Sequence, residues 1–115
     1  MVARANAPDR GDLIWLDFSP QAGHEQAGRR PALVLSPKAY NRKTELAVVC
    51  PITSQIKGYP FEVAVPPGYR ISGVILCDQA RSLDWRARRA APFGRVPTQT
   101  LEDVVVRVAR LIGFT

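Results

Sequence analysis

The chain has 115 residues, enough for one domain and too few for a second independent core, so residues 1–115 are read as a single domain. Apolar residues make up 46% of it, which excludes a disordered polyelectrolyte, and no apolar run is long enough for a membrane span. Sixteen Lys and Arg against ten Asp and Glu leave a net charge of +6, the profile of a protein that meets phosphates and also of many basic proteins that do not.

The N-terminal stretch MVARANAPDRGD lacks an apolar signal core, so a soluble, cytoplasmic protein is expected. The first β-rich run is Asp12 to Phe18 (DLIWLDF), closed by Ser19-Pro20. A polar, glycine-containing loop follows, Gln21 to Arg30. Pro31 opens the run PALVLS, too uniformly apolar to alternate and therefore expected to be buried on both faces. Ser36 to Glu45 has room for a helical turn, with Pro37 and Asn41 leaving that open. Strands are expected over Leu46 to Thr53, Phe61 to Val65 and Gly73 to Gln79, the second and third separated by a turn at Pro66-Pro67-Gly68. Shorter strands are expected at Arg81 to Trp85 and Phe93 to Val96. Cys50 and Cys77 lie inside apolar runs with no CxxC partner, so buried free thiols are expected rather than zinc or redox chemistry.

The C-terminal period is different. Leu101, Val104, Val105, Val108, Leu111 and Ile112 share one face of a helix, with Glu102, Asp103, Arg107 and Arg110 on the other. Thr100 followed by Asp103 gives a weak capping signal, and Gly113 a stop. Strands with short links and one terminal helix imply a mainly β (α+β) fold: a curled antiparallel sheet or small barrel with a C-terminal α-helix packed on it.

Five arginines, Arg81, Arg86, Arg88, Arg89 and Arg95, crowd into fifteen residues opposed only by Asp84. They are a candidate phosphate-binding stretch, or a charged edge that blunts strand pairing. For a protein that cuts RNA, the simplest chemistry uses the 2′-hydroxyl to attack the adjacent phosphorus, which needs a proton acceptor, a proton donor and cations around the phosphate. His24 is the only histidine, so a two-histidine acid–base pair is excluded. Asp12, Asp17 and Asp78 are scattered singly, unlike the clustered carboxylates of a two-metal nuclease, and no zinc spacing or GxSxG elbow occurs. No metal or cofactor is therefore expected.

The loop Gly23-His-Glu-Gln-Ala-Gly-Arg-Arg-Pro31 holds groups suited to metal-free chemistry, with Glu25 five residues before Arg30. Thr53 ends another strand and is followed by Ser54, Gln55 and Lys57. A hydroxyl, a carboxylate and a guanidinium on neighbouring strand ends would surround one phosphate. Spacing alone equally permits a surface ion pair of Glu25 with Arg30 and a Thr53 that is strand filler. Tyr40, Tyr59, Phe61 and Trp85 flank basic residues and could stack on bases, with the core the stronger reading for Tyr59 and Phe61. Trp15 reads as core or as facing a protein partner.

At these residues the chain resembles the MazF/PemK toxins. The stretches GDLIWLDFSP, EQAGRRPALVLSP, YNRKT, ITSQIKGYPFEV and DQARSLDWRAR follow that family in order and spacing, from about Asp9 to Gly113. The resemblance implies an SH3-like small β-barrel of the CcdB/MazF type and a homodimer neutralised by a cognate antitoxin. It also implies metal-independent cleavage of single-stranded RNA, usually mRNA, at a short sequence, leaving 2′,3′-cyclic phosphate and 5′-hydroxyl ends. It places the key arginine at Arg30 rather than Arg29, the threonine at Thr53 and the loop glutamate at Glu25. RNA contacts are expected from Lys57, Gln79 and Ser54, and from Arg86 of the basic stretch. An arginine is a poor general base in water, so Arg30 is assigned to charge stabilisation and proton transfer to the leaving oxygen, with Glu25 taking or orienting the 2′ proton. A scheme in which Arg30 and Thr53 carry all proton traffic fits the residue types as well. His24 is read as incidental. Two rival functions are a gyrase poison of the same fold, which would leave RNA intact, and a non-catalytic RNA-binding barrel, which would yield no 5′-hydroxyl products.

Overall fold

The computed structural model describes residues 6–18 and 28–114. The strands are β1 (Asp12–Asp17), β2 (Arg29–Val34), β3 (Leu46–Thr53), β4 (Glu62–Ala64), β5 (Val74–Leu76), β6 (Arg81–Asp84) and β7 (Ala91–Arg95). Helix α1 (Lys38–Thr44) joins β2 to β3, and α2 (Thr98–Leu111) ends the chain. Every pairing is antiparallel, in the order β4-β5-β3-β2-β1-β7, with β6 pairing the first half of β3. The two end strands, β4 and β7, are not paired with each other, so the expected barrel is an open, curled sheet rather than a closed one.

The central strands bury both faces, as the unalternating PALVLS run predicts. Leu13, Leu33, Cys50 and Ile52 face one core with Val63, Ile75, Cys77 and Val104 of α2. Ile14, Leu16, Ala32, Val34, Ala47 and Val49 face a second core with Leu83 and Trp85. Period-2 alternation on β1, β2 and β3 thus feeds two apolar layers rather than one layer and solvent. Trp85 belongs to the second core and is nearly inaccessible, its indole Nε1 donating to the Asn41 carbonyl at 2.8 Å, so it is not a base-stacking residue. Trp15 stacks instead on Phe93, ring centroids 5.0 Å apart.

Asn41 is the one fully buried amide in a described helix, and its bonds explain the tolerance for it. Its Nδ2 donates to the carbonyls of Pro8 and Ser36, and its Oδ1 accepts from Ser36 Oγ at 2.6 Å. A buried amide with all its groups partnered locks α1 to the N-terminal segment at little desolvation cost. Helix α1 is thereby present where the sequence left it open.

Helix α2 begins two residues before the expected cap. Pro97 occupies the N-cap position, and no side chain caps the helix, so the Thr100 cap is not used. Thr100 is instead buried. The buried stripe is also narrower than the six-residue pattern: Val104 is buried and Leu101 and Val108 pack on the first core, while Val105, Leu111 and Ile112 stay exposed. Arg107 does not point away from the fold; its Nε donates to the Pro60 carbonyl at 2.9 Å, tying α2 to the segment before β4. No described helix is long and apolar enough to cross a membrane.

Candidate active site

The β2–β3 register pairs Ala32 with Pro51. The paired ladder stops there; two residues beyond it on each strand, Arg30 and Thr53 occupy the neighbouring strand ends, and both line the same depressions. Alternation also separates the two neighbouring arginines. Arg29 pairs with Asp17 across β1, its guanidinium 3.1 Å from the carboxylate, whereas Arg30 is exposed and takes part in none of the ion pairs among the described residues.

Arg30 and Thr53 line two adjoining depressions. One, about 450 Å³, is walled by Phe18, Gln55, Lys57, Tyr59, Gln79 and Arg81, among others. The other, about 490 Å³, is completed by Ser54, Ile71 and Ser72. Together they make one groove with the guanidinium and the hydroxyl at its waist. The Thr53 Oγ1 accepts a bond from the Gln55 amide at 3.1 Å, which fixes the rotamer and leaves the hydroxyl proton free to donate outward. Burial raises the Tyr59 phenol above its ordinary pKa, with Asp78 and Glu62 adding to it, so the group stays a hydrogen-bond donor. The Arg81 guanidinium lies 6.0 Å from the Phe18 ring centroid, at the outer limit of a cation–π contact.

Of the residues expected to act on RNA, the fold gathers Arg30, Thr53, Ser54, Lys57 and Gln79 around this groove. Glu25 and His24 lie outside the described residues. Arg86 is elsewhere. It follows β6, whose Asp84 pairs with Leu46 at the opposite end of β3 from Thr53, seven steps or roughly 24 Å away. Its guanidinium binds Glu45 at 3.2 Å and lines a separate depression with Asn6, Arg89 and Ala90. Phe18, Glu62 and the Ile71–Ser72 pair were not singled out by sequence reasoning. Their place in the groove depends on pairings between distant strands, which leave no local signal.

The basic stretch is corrected in the same way. Arg81 alone reaches the groove. Arg88 donates to the carbonyls of Asp17 and Phe18 at 2.9 and 2.7 Å, Arg89 binds Asp17 at 2.8 Å, and Arg95 binds Asp12 at 2.6 Å. These guanidiniums tie the β6–β7 segment to β1 and do not line the groove. The bond from Arg89, joined by that from Arg29, holds the Asp17 carboxyl below the usual carboxylate range. Because the folded group titrates below its unfolded counterpart, its stabilisation is complete above about pH 3.9 and is lost as pH falls through the folded value. Asp17→Asn is expected to unfold at a lower temperature than the parent at pH 7, with the difference closing as the solution is acidified below about pH 3.9. Melting curves across that range test this; a difference that persists undiminished to pH 2 would assign the effect to packing.

Neither cysteine offers a nucleophile. Burial pushes the Cys50 thiol up to about 12 and the Cys77 thiol up to about 11, so both are protonated at neutral pH. Among the described residues no three His, Cys, Asp or Glu side chains gather as metal ligands.

Comparison with known proteins matches this frame over nearly its whole length. The family model for PemK-like, MazF-like toxins of type II toxin–antitoxin systems matches residues 9–112. The endoribonuclease toxin MazF of Escherichia coli K12 is 50% identical over 113 residues, covering 98% of this chain and all of that one. A crystal structure of MazF from Deinococcus radiodurans superposes with a TM-score of 0.86 at 56% identity, covering 94% of this chain and 98% of that one. A MazE–MazF crystal structure from the same organism gives 0.85 at 49% identity, covering 95% and 98%. The sheet and its terminal helix are thus those of a known lineage, and the chain belongs to the PemK-like, MazF-like family of type II toxin–antitoxin toxins.

Proposed function

We propose that Arg30 and Thr53 form the cleavage centre of this MazF-like endoribonuclease toxin, and that the groove binds single-stranded RNA, mRNA above all, across them. The observation that carries the reading is a guanidinium and a hydroxyl on neighbouring strand ends, both lining the same two adjoining depressions. The ribose 2′ oxygen attacks the adjacent phosphorus, the bond from phosphorus to the 5′ oxygen breaks, and the products are a 2′,3′-cyclic phosphate and a 5′-hydroxyl. Arg30 stabilises the charge gathering on the phosphoryl oxygens and protonates the departing 5′ oxygen. Thr53 donates its hydroxyl to the phosphate, and Glu25 takes the 2′ proton. Lys57 and Arg81 hold flanking phosphates, while Gln79 and Ser54 meet RNA on either side of the waist. Arg86 is left out of this reading because its position at the far end of β3 removes it from the groove.

The scheme has no step for a metal or a cofactor. A cognate antitoxin binds the toxin, as MazE binds MazF in the related complex, and the toxin acts as a homodimer, each chain a single domain, in the cytoplasm. The test is direct. Purified protein incubated with mixed RNA in EDTA is expected to leave 5′-hydroxyl ends at a short shared sequence. Replacing the 2′-hydroxyl at that site by hydrogen should stop cleavage. Continued cutting of the deoxy-substituted RNA would make water the nucleophile, and intact RNA beside trapped, broken DNA would point to a gyrase poison.

A further inference from the structure

Glu62 is the one carboxylate lining the depression that Arg30, Lys57 and Arg81 also wall, and its two oxygens are both engaged. Oε2 accepts from the Lys57 amide at 3.0 Å and Oε1 from the Gly58 amide at 2.8 Å. The Glu62 amide in turn donates to the Tyr59 carbonyl at 3.1 Å. Gly58 sits at φ +85, a conformation that favours glycine, so the segment turns sharply there and presents both amides to one carboxylate. Residues 54–60 contain no helix or strand, and Ser54 to Gly58 are exposed; the stretch is held at its ends by the Gln55–Thr53 and Arg107–Pro60 bonds and at its middle by Glu62.

We infer that Glu62 is a positioning residue: its carboxylate clamps the Lys57–Gly58 backbone so that Lys57 and Tyr59 wall the groove before RNA arrives. The inference rests on the groove being the RNA site. It makes a prediction opposite in sign to simple electrostatics. A carboxylate facing phosphates repels them, so if charge were its whole effect, removing it would tighten RNA binding. If the carboxylate acts as a clamp, removing it frees the turn, and binding must then order it again at a cost in affinity. Charge-assisted bonds to two amides make the second effect the larger one.

The experiment measures binding of a non-cleavable oligonucleotide, carrying a 2′-deoxy sugar at the cut position, together with kcat and KM on the cleavable RNA. Glu62→Ala is expected to raise Kd and KM about tenfold with kcat within about twofold, because the clamp supports binding equally in ground and transition states. Glu62→Gln, isosteric and keeping one oxygen acceptor, should lie between the parent and Glu62→Ala. In a Lys57→Ala background, Glu62→Ala should add less than about twofold, since the lysine it positions is gone. An unchanged or tighter Kd in Glu62→Gln, or full additivity with Lys57→Ala, would overturn the clamp. Failure of the parent protein to cut or bind RNA at all would instead overturn the reading of the groove and the clamp with it.

Discussion

Arg30→Ala is expected to lower the RNA cleavage rate by about a thousandfold while leaving unfolding stability within about 0.5 kcal/mol of the parent. The two halves of this expectation have separate grounds. Arg30 is exposed and takes part in none of the described ion pairs, so truncation strands no buried partner. With Thr53, however, it lines both depressions as the one guanidinium at the groove's waist, and removing a donor aimed at developing charge typically costs 10²–10³ in rate, about 3–4 kcal/mol. Its neighbour supplies the control. Arg29→Ala breaks the 3.1 Å bond to Asp17 on the other face, so it should affect stability more than Arg30→Ala and cleavage much less. Urea unfolding and initial rates on one RNA substrate compare the pair. Full activity in a folded Arg30→Ala protein would remove this residue from the mechanism.

The second large effect is expected from a residue with no side chain at all. Gly73 precedes β5, and its missing Cβ is what lets that strand lie against Thr53. A Cβ there would overlap the Thr53 carbonyl oxygen and stand 2.8 Å from the carbonyl carbon and 3.0 Å from Ser54 Cα. The backbone also holds φ at +127, which alanine adopts only under strain. Gly73→Ala is therefore expected to cost about 3 kcal/mol or more, strain and overlap combined, and to displace Thr53, with cleavage falling beyond what the loss of folded protein explains. Gly68→Ala separates the two causes. Gly68 has φ +102 but nothing within 4 Å of an added Cβ, so it should show strain alone, about 1–2 kcal/mol, with cleavage intact. Equal losses in both variants would mean that the close approach to Thr53 carries no weight.

Much of the fold was legible because it is written in local periods. The strand at Leu46–Thr53 was expected with the bounds it has, and the unalternating PALVLS run foretold burial on both faces, here by two separate cores. The candidate centre was legible through Arg30 and Thr53, since both sit at strand ends that local residues define. Where prediction went astray, the deciding partner was distant in sequence. The helix cap is a local exception, lying at Pro97, three residues before the expected Thr100. Arg88 and Arg89, read as phosphate ligands, lie about seventy positions from the Asp17–Phe18 backbone and carboxylate they bind.

By itself, then, the order of residues determined the run of strands, the terminal helix, the kin to which the chain belongs and the residue types available for chemistry. Tertiary structure alone decided which cations face the groove and which are tied internally, that Trp85 is core, and that Glu62 holds a backbone turn. The reason is physical. Strand and helix periods are set by neighbours within a few positions, whereas a side chain's partner is set by sheet register, and register joins residues that composition and spacing cannot bring together.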